Sequence, residues 1–214
     1  MIKNTGFFSH PDFQKLLLDE GITQQRSRGD YIYHEGNRPE SVYFVKSGLI
    51  GLFNTSESGH ETLFRVFGDG NFLGHRSCIA EEPYHASALV LAPSTLISIS
   101  TKKFIHCLKN KPELLFFTAQ VLSRELKAAE MRFAHLLDKD APARVAESIA
   151  FLKFRNPDYS WTRKEIAEYA GTTVETVART LTQFEKEGLI EKIGRSFEIL
   201  DGEKLRKQFS QPED

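Results

Sequence analysis

Several features that define other classes of protein are missing from this sequence. Only two cysteines occur in 214 residues, Cys78 and Cys107, and they form no CxxC pair. Such sparse cysteines exclude a disulfide framework and a cysteine-ligated cluster, and they are typical of a reducing compartment. No stretch approaches the roughly 18 apolar residues of a membrane helix, and residues 1–5 lead into no signal-peptide apolar region. We therefore expect a cytoplasmic chain without a membrane segment.

An excess of positive charge is also absent. The chain has 28 Lys and Arg against 29 Asp and Glu, and its isoelectric point is about 6.7. The net field of the protein therefore gives no support to nucleic-acid binding, which has to be argued from local geometry. Phenylalanine, by contrast, is abundant at 17 residues, which predicts an aromatic-rich core or interface.

The most informative stretch that is present runs from residue 160 to residue 184. Thr162 can cap a first helix, and Glu165 three residues later completes a capping box. Gly171 supplies the left-handed residue that ends this helix, and Thr172 or Thr173 can cap a second one. The apolar face of the second helix is formed by Val177, Leu181 and Phe184. Two short helices about a glycine turn predict a helix-turn-helix.

The exposed residues of the second helix suit DNA recognition. Arg179 can donate two hydrogen bonds to guanine O6 and N7, and Glu175, one turn earlier, can accept from cytosine N4. The alternative for such a pair alone is an ion pair on a solvated helix. Hydroxyl groups that can bind DNA phosphates are offered by Thr162, Thr172, Thr173, Thr176 and Thr180.

The N-terminal half reads as a β-domain. A short helix is predicted over residues 7–20, and from Gly29 to about Ser100 short apolar runs alternate with glycine-containing turns. The runs are residues 31–33, 41–45, 49–53, 62–67, 86–91 and 96–99. Strands repeating about every ten residues between turn signals predict a sandwich or barrel.

A long helix follows, from about Glu113 to Leu137. Seven residues recur on it at heptad-like intervals: Leu115, Thr118, Leu122, Leu126, Ala129, Phe133 and Leu136. A helix of this length spans about 37 Å at 1.5 Å per residue, which favours a seam between two protomers. The alternative is packing of the helix against its own β-domain.

The run Asp138–Pro142 breaks the long helix and predicts a domain boundary. Beyond it a further helix is expected over residues 143–154, then the helix-turn-helix, and then two short strands around Gly194 and Arg195. That hairpin makes the motif winged, and Lys192 and Arg195 become candidate phosphate contacts. A last short helix is expected over 201–209. The predicted domains are a sensor β-roll over 1–110, the dimerisation helix over 111–138, and the winged helix-turn-helix over 139–214.

This arrangement resembles the cyclic-AMP receptor protein/fumarate-nitrate regulator (CRP/FNR) family over nearly the whole chain. The matching motifs include Glu35-Gly36, residues 45–48 (VKSG), 70–74 (GNFLG), 140–146 (DAPARVA), 162–167 (TRKEIA) and 188–190 (GLI). The resemblance implies an α+β fold with a cyclic-nucleotide-binding-type jelly-roll, a homodimer on double-stranded DNA, an inverted-repeat site and RNA polymerase as a partner. It does not decide between activation and repression.

The same resemblance assigns the base readers. The family reads bases through a Glu and an Arg four residues apart, which match Glu175 and Arg179. Val174 resembles the fumarate-nitrate branch, and Ala178 stands where that branch has Ser. The resemblance therefore implies half-sites with a TGA core (TTGAT-like), in which the methyl group of Ala178 can pack on a thymine methyl.

The resemblance is weakest in the sensor. In the cyclic-AMP branch a Glu holds the ribose, an Arg-Ser pair holds the phosphate, and a Thr-Ser pair meets the adenine. Here His75, His85-Ala86 and Ala129-Glu130 stand at those positions. Loss of the phosphate-binding Arg removes a charge-assisted clamp, so we do not expect the usual binding of cyclic AMP. The cysteines that hold an iron–sulfur cluster in the other branch are also absent, which excludes that cofactor.

Two other kinds of effector stay open. His75 stands where the carbon-monoxide-sensing branch places a haem ligand, although a histidine that hydrogen-bonds locally is the alternative. A different anion could instead be held by Arg76, Ser77 and Ser87, beside Gly74. Either way the β-roll would sense a small molecule or a redox state, and the sequence does not name it.

Two rival functions belong to other classes. A jelly-roll with scattered histidines could be a cupin-like metalloenzyme, but such sites need closely spaced ligands, and His34, His60, His75 and His85 form no HxH. We therefore expect no metal site and no enzyme. A dimeric module that binds protein through its winged helix is the other rival, and it predicts no salt-dependent affinity for DNA.

Overall fold

A computed structural model of the chain describes the backbone of residues 10–194 and 196–209, and the side chains of these up to residue 205. The chain forms two compact units divided between Ala128 and Ala129. The first contains α1 (Pro11–Glu20), β1 (Ile22–Arg26), β2 (Tyr31–Tyr33), β3 (Ser41–Thr55), β4 (Glu61–Phe67), β5 (Phe72–Leu73), α2 (His75–Ala80), β6 (Ser87–Ser100) and α3 (Thr101–Asn110). Helix α4 (Pro112–Asp138) begins in this unit and ends in the second. The helix predicted as a separate segment is therefore shared between the units.

The second unit continues with helices and a hairpin. Its elements after α4 are α5 (Ala141–Arg155), α6 (Arg163–Ala170), α7 (Val174–Lys186), β7 (Ile190–Ile193), β8 (Ser196–Ile199) and α8 (Gly202–Phe209). Strands β7 and β8 pair antiparallel, with Ile190 opposite Ile199. Helix α5 packs against α6, α7 and α8. Each predicted element of this region is present, within about two residues of its expected bounds. No described helix is both long and apolar enough to cross a membrane.

The first unit is built on one antiparallel sheet of six strands. Its order is β1-β6-β3-β4, with β2 also paired to β6 and β5 to β3. Four of the short strands predicted from sequence are halves of the two long strands β3 and β6, whose mutual register shifts three times between Val45 and Ile50. Such bulges bend a strand without ending it. The glycine and proline signals therefore mark bends here rather than strand ends.

Gly48 shows why this bend needs glycine. Its φ is +110°, and an added Cβ would lie 2.1 Å from Ser94 Oγ on the facing strand. The same hydroxyl accepts a hydrogen bond from the Leu49 N–H at 3.1 Å and donates one to the Ala92 carbonyl at 2.6 Å. A side chain at position 48 would therefore push apart the two strands that the serine holds together.

The aromatic-rich core expected from the composition is present in the first unit. Phe13, Phe72 and Phe104 are buried with ring centroids 5.5–6.1 Å apart in each pair. Aromatic pairs at such distances contribute roughly 0.5–1.5 kcal/mol each beyond the burial of their area. This cluster fixes α1 and α3 against the end of the sheet.

Besides the two-residue strand β5, two elements of the first unit were not predicted. Strand β1 carries mostly polar residues, and its backbone pairs with residues 94–98 of β6, while Gln24 Nε2 donates to Ser98 Oγ at 3.0 Å. Helix α2 has only six residues, which is too few to show a helical period. Both elements depend on tertiary contacts that the local sequence does not reveal. The helix expected over residues 7–20 begins at Pro11, and residues 7–9 lie outside the described part of the chain.

The exposed face of α4 corrects one residue of the predicted seam. Thr118 is 1% exposed and its hydroxyl donates to the Leu114 carbonyl at 2.8 Å, so it belongs to the core of the first unit. The neighbouring Ala119 is exposed and keeps the heptad-like interval. The apolar stripe therefore comprises Leu115, Ala119, Leu122, Leu126, Ala129, Phe133 and Leu136, all exposed except the half-buried Leu122.

Candidate nucleic-acid interface and effector site

The first helix of the two-helix motif begins as the sequence predicts. Thr162 Oγ1 accepts from the Glu165 N–H at 3.1 Å, and Glu165 Oε2 accepts from the Thr162 N–H at 2.8 Å, which completes the capping box. Tyr159 Oη also donates to Glu165 Oε1 at 2.6 Å. The Thr162 hydroxyl donates in turn to Glu165 Oε2. It is thus occupied inside the protein, and its contact with a phosphate stays a prediction.

The turn between α6 and α7 is held by a residue that was not predicted to act there. Gly171 adopts the expected left-handed conformation at φ +62°. From α5, Arg144 donates to three main-chain carbonyls: Nε to Ala170 at 3.0 Å, one terminal nitrogen to Gly171 at 3.1 Å and the other to Lys139 at 2.7 Å. Carbonyls at the C-terminal end of a helix lack intrahelical partners. A positive charge placed there is also stabilised by the negative end of the helix dipole. Arg144 therefore fixes the turn that aims α7.

Helix α7 begins at a threonine cap and buries the predicted face. The Thr173 hydroxyl accepts from the Thr176 N–H at 3.2 Å. Val177, Leu181 and Phe184 are at most 4% exposed. The choice between Thr172 and Thr173 as the cap, left open by the sequence, is thereby decided.

The opposite face of α7 presents the predicted base readers to solvent. Val174, Glu175 and Arg179 are exposed and Ala178 is half-buried. Within the part of the chain that the structure describes, neither Glu175 nor Arg179 makes a side-chain hydrogen bond or ion pair. The intrahelical ion pair, which was the alternative for these two residues, is therefore not formed. A surface depression of about 490 Å³ continues along this face, lined by Ala178, Arg179, Thr182, Gln183 and Lys186.

One predicted phosphate contact is wrong and another lies outside the described residues. Thr180 is 2% exposed, because it follows Val177 by three residues on the buried face of α7, so its hydroxyl cannot reach DNA. Thr173 is exposed, and Thr172 and Thr176 are half-buried. Arg195 is not among the described residues.

In the first unit, His75 contacts a carboxylate. It is 3% exposed, at the start of α2, and its Nε2 lies 3.3 Å from Oε2 of Glu125 on α4. The same carboxylate oxygen lies 2.8 Å from a guanidinium nitrogen of Arg65 on β4. Neither Arg65 nor Glu125 was predicted, because no local motif marks residues 60 positions apart. His75 thus faces a carboxylate inside the protein, and its role as a haem ligand stays a prediction.

The other effector candidates contact groups within the protein. Ser77 is buried and donates to the Pro83 carbonyl at 3.2 Å, while the Ser87 hydroxyl accepts from the Glu35 N–H at 3.0 Å. Arg76 donates to His85 Nδ1 at 3.3 Å and lies 3.2 Å from Glu82 Oε2. Gly74 is half-buried and Ala86 is buried, whereas Ala129 and Glu130 are exposed and belong to the second unit.

The titration of His85 reflects this environment. Burial lowers its pKa most, and the positive charges of Arg76 and Arg65 lower it further, against the opposing effect of Glu35 and Glu82. A lowered pKa is consistent with His85 Nδ1 accepting the Arg76 hydrogen bond. Among the described residues, no group of three or more His, Cys, Asp or Glu is placed to hold a metal ion.

Comparison with known families accounts for both units. Residues 23–111 match the cyclic nucleotide-binding domain, and residues 143–208 match the Crp-like helix-turn-helix domain.

Relatives that match most of the chain are named as transcription regulators. The chain is 29% identical over 195 residues to the transcriptional activator protein Anr of Pseudomonas protegens, covering 86% of this chain and 80% of that one. It is 28% identical over 182 residues to the cyclic AMP receptor protein of Thermus thermophilus, covering 84% of each. FixK2 of Bradyrhizobium japonicum shares the fold, with a TM-score of 0.81 over 90% of this chain and 99% of that one at 20% identity.

Proposed function

The chain belongs to the CRP/FNR family of DNA-binding transcription regulators, and from that premise we propose that it acts as a homodimer on an inverted-repeat DNA site under the control of an effector sensed by the first unit. The observation that carries the proposal is the exposed face of α7. It presents Glu175 and Arg179 without a partner among the described residues. Glu175 and Arg179 are opposite charges one turn apart on a capped helix, and since they do not pair with each other, both can bond to base edges.

The proposed half-site has a TGA core, as in TTGAT. Arg179 would donate to O6 and N7 of a guanine, and Glu175 would accept from the N4 amine of a cytosine. Ala178 offers a methyl group for a thymine methyl, and Val174 is exposed beside it. Phosphate contacts are assigned to Thr172, Thr173 and Thr176, which lie around the start of α7, where backbone N–H groups also favour an anion.

The proposed dimer uses the exposed apolar stripe of α4. Leu126 is 60% exposed and Phe133 is 64% exposed, and water contact on such side chains is removed when two stripes pack together. The heptad-like interval of the stripe is that of a two-helix seam. A homodimer also gives the two-fold symmetry that an inverted repeat requires.

The effector controls DNA binding only if it binds two arrangements of the dimer with different affinity. The usual cyclic-AMP contacts are not expected, since His85 and Ala86 replace the phosphate-binding Arg and Ser. Haem is disfavoured by the contact between His75 and Glu125. We therefore propose a cytoplasmic regulator with a different small-molecule effector, which acts on transcription together with RNA polymerase.

Selection of bound sequences from random duplex DNA tests the proposal. We expect enrichment of an inverted repeat with TGA cores, and an affinity that falls steeply with added salt as counterions are released. Enrichment without two-fold symmetry, or affinity that is independent of salt, would refute it. An absorption spectrum of the purified protein is expected to show no Soret band.

The role of Arg179 is tested separately. Arg179→Ala should cost about 1–3 kcal/mol at one guanine and relax the preference at that position. Lys186→Ala, on the same helix face, is the matched control: it should weaken all sequences alike. Unchanged base preference after Arg179→Ala would contradict the assigned role.

A further inference from the structure

Side chains from two other elements converge on the carboxylate of Glu125 in α4. Arg65 of β4 lies 2.8 Å from Glu125 Oε2, and His75 Nε2 of α2 lies 3.3 Å from the same oxygen. The second terminal nitrogen of Arg65 donates to the main-chain carbonyl of Glu125 at 3.0 Å. One arginine thus binds both the side chain and the backbone of a single helical residue.

The cluster has the features of an anion site that is both built and reachable. His75 is almost fully buried, whereas the side chains of Arg65 and Glu125 are 31% and 24% exposed. Burial raises the pKa of Glu125, but the hydrogen bonds and charges of His75 and Arg65 outweigh it and hold that pKa below its usual range. The site therefore stabilises a negative charge, and the exposed parts of Arg65 and Glu125 leave one side of it open to solvent.

The surroundings of the cluster add positive charge. Burial is the largest cause of the lowered pKa of His85, and the positive charges of Arg76 and Arg65 lower it further. The acidic groups that oppose them there are Glu35, bonded to Asn54, and Glu82, paired with Arg76. Arg65 has no carboxylate partner other than Glu125 among the described residues.

We propose that Arg65 and His75 are the anion-binding groups of the effector site, and that Glu125 fills this place as an internal ligand until a small molecule bearing phosphate or carboxylate displaces it. The regulatory part of this assignment rests on the proposed function, because it makes the anion the effector. The binding part stands on the geometry alone.

Displacement of Glu125 would have a structural consequence in the same unit. The contacts of Arg65 and His75 fasten α4 to β4 and α2 at this point. An anion that takes over the guanidinium and the imidazole releases the helix from both elements. The anion then binds the released arrangement more tightly than the fastened one, which is the difference in affinity that control by a ligand requires.

Calorimetric titration of the full-length protein tests the assignment without DNA. Sodium phosphate and sodium citrate are titrated separately, at constant ionic strength set with chloride. Glu125→Gln removes the internal competitor and should tighten binding of at least one of the two anions by about tenfold. Arg65→Gln should abolish binding, and Arg65→Lys, which keeps the charge without the two-pronged geometry, should weaken it.

Matched variants separate a specific site from a general change in charge. Glu113 lies on the same helix and Arg38 in the same unit, and both residues are exposed. The variants Glu113→Gln and Arg38→Gln should bind the two anions like the unmodified protein. The proposal would be overturned if Glu113→Gln raised the affinity for phosphate or citrate as much as Glu125→Gln does. Undiminished binding by folded Arg65→Lys and Arg65→Gln, or no binding of either anion to Glu125→Gln, would overturn it too. Failure of these titrations leaves the DNA selection unaffected, and failure of that selection leaves the titrations unaffected.

Discussion

The two units place their charged groups differently. In the DNA-binding unit, Glu175 and Arg179 project from α7 without a partner among the described residues. In the first unit, which we propose to be the sensor and call the sensor unit below, His75, Arg76 and Ser87 each contact another group of the protein. The first arrangement is ready to bind at once. In the second arrangement a ligand at the proposed effector site would have to replace an internal contact, so that the unit would rest in one state without its ligand.

The largest effect is expected from a test of whether the two units are stabilised separately. Phe104→Ala removes a fully buried ring that lies 5.5 Å from Phe72, and should lower the free energy of unfolding of the sensor unit by about 3–5 kcal/mol. The single tryptophan, Trp161, is buried in the other unit, so its fluorescence reports that unit.

We expect the circular-dichroism transition to shift while the Trp161 transition stays in place. Leu18→Ala, at an 84% exposed position of the sensor unit, is the control and should change neither. Equal shifts in both signals would show that the two units unfold together.

A second test removes the dimer and leaves the protomer folded. Leu126→Glu places a charge in the exposed stripe of α4 and should give a monomer in analytical ultracentrifugation, with the melting behaviour of each unit retained. Because paired half-sites would then be bound singly, DNA affinity should fall by on the order of 10². Lys127→Glu, an exposed neighbour outside the stripe, should stay dimeric. A dimeric Leu126→Glu protein would rule out the stripe as the seam.

A third test concerns the turn before the recognition helix. Arg144→Ala removes charged hydrogen bonds to the carbonyls of Lys139, Ala170 and Gly171, each of the kind worth about 1.5–3 kcal/mol. We expect a lower Trp161 unfolding midpoint and weaker binding to all DNA sequences alike. Arg155→Ala, on the same helix, is the control. Loss of preference at only one base pair would instead make Arg144 a base reader.

The smallest expected effect is an acid dependence. The folded-state pKa of Glu125 lies below its ordinary value of 4.5, so its charge contributes stability above that pH. The contribution is lost as pH falls below 4.5 and through the lowered pKa. Glu125→Gln should therefore flatten the loss of sensor-unit stability in this range, measured by denaturant titration, whereas Glu113→Gln should not. Parallel curves for the two variants would contradict the coupling.

The sequence predicts more of the DNA-binding unit than of the sensor unit, for a physical reason. Caps, a glycine turn and an apolar face are local signals, so Thr162, Gly171 and Val177 define the two-helix motif within a stretch of 16 residues. Thr180 was misplaced although the signal was available, since it falls between Val177 and Phe184 on the same face. The contact of Arg65 with Glu125 joins residues that are distant in the chain, and no local pattern encodes it.

The same difference applies to strands and seam. Strand β1 exists because β6 offers it backbone partners, and its polar residues carry no alternating pattern. The stripe contains Ala119 and not the predicted Thr118, because the core of the first unit covers the face of α4 that carries Thr118. A heptad pattern alone does not reveal which face is covered.

Within the described part of the chain Glu175 and Arg179 have no internal partner, and this affects how such a regulator can diverge. Substitutions at exposed positions that touch nothing typically alter folding by no more than about 0.5 kcal/mol, so duplicated copies can acquire new target sequences one residue at a time. Arg65, His75 and Glu125 share contacts, and changes among them are not additive. In the proposed effector site a new ligand specificity would therefore need concerted replacements, whereas new target DNA sequences can be acquired one residue at a time.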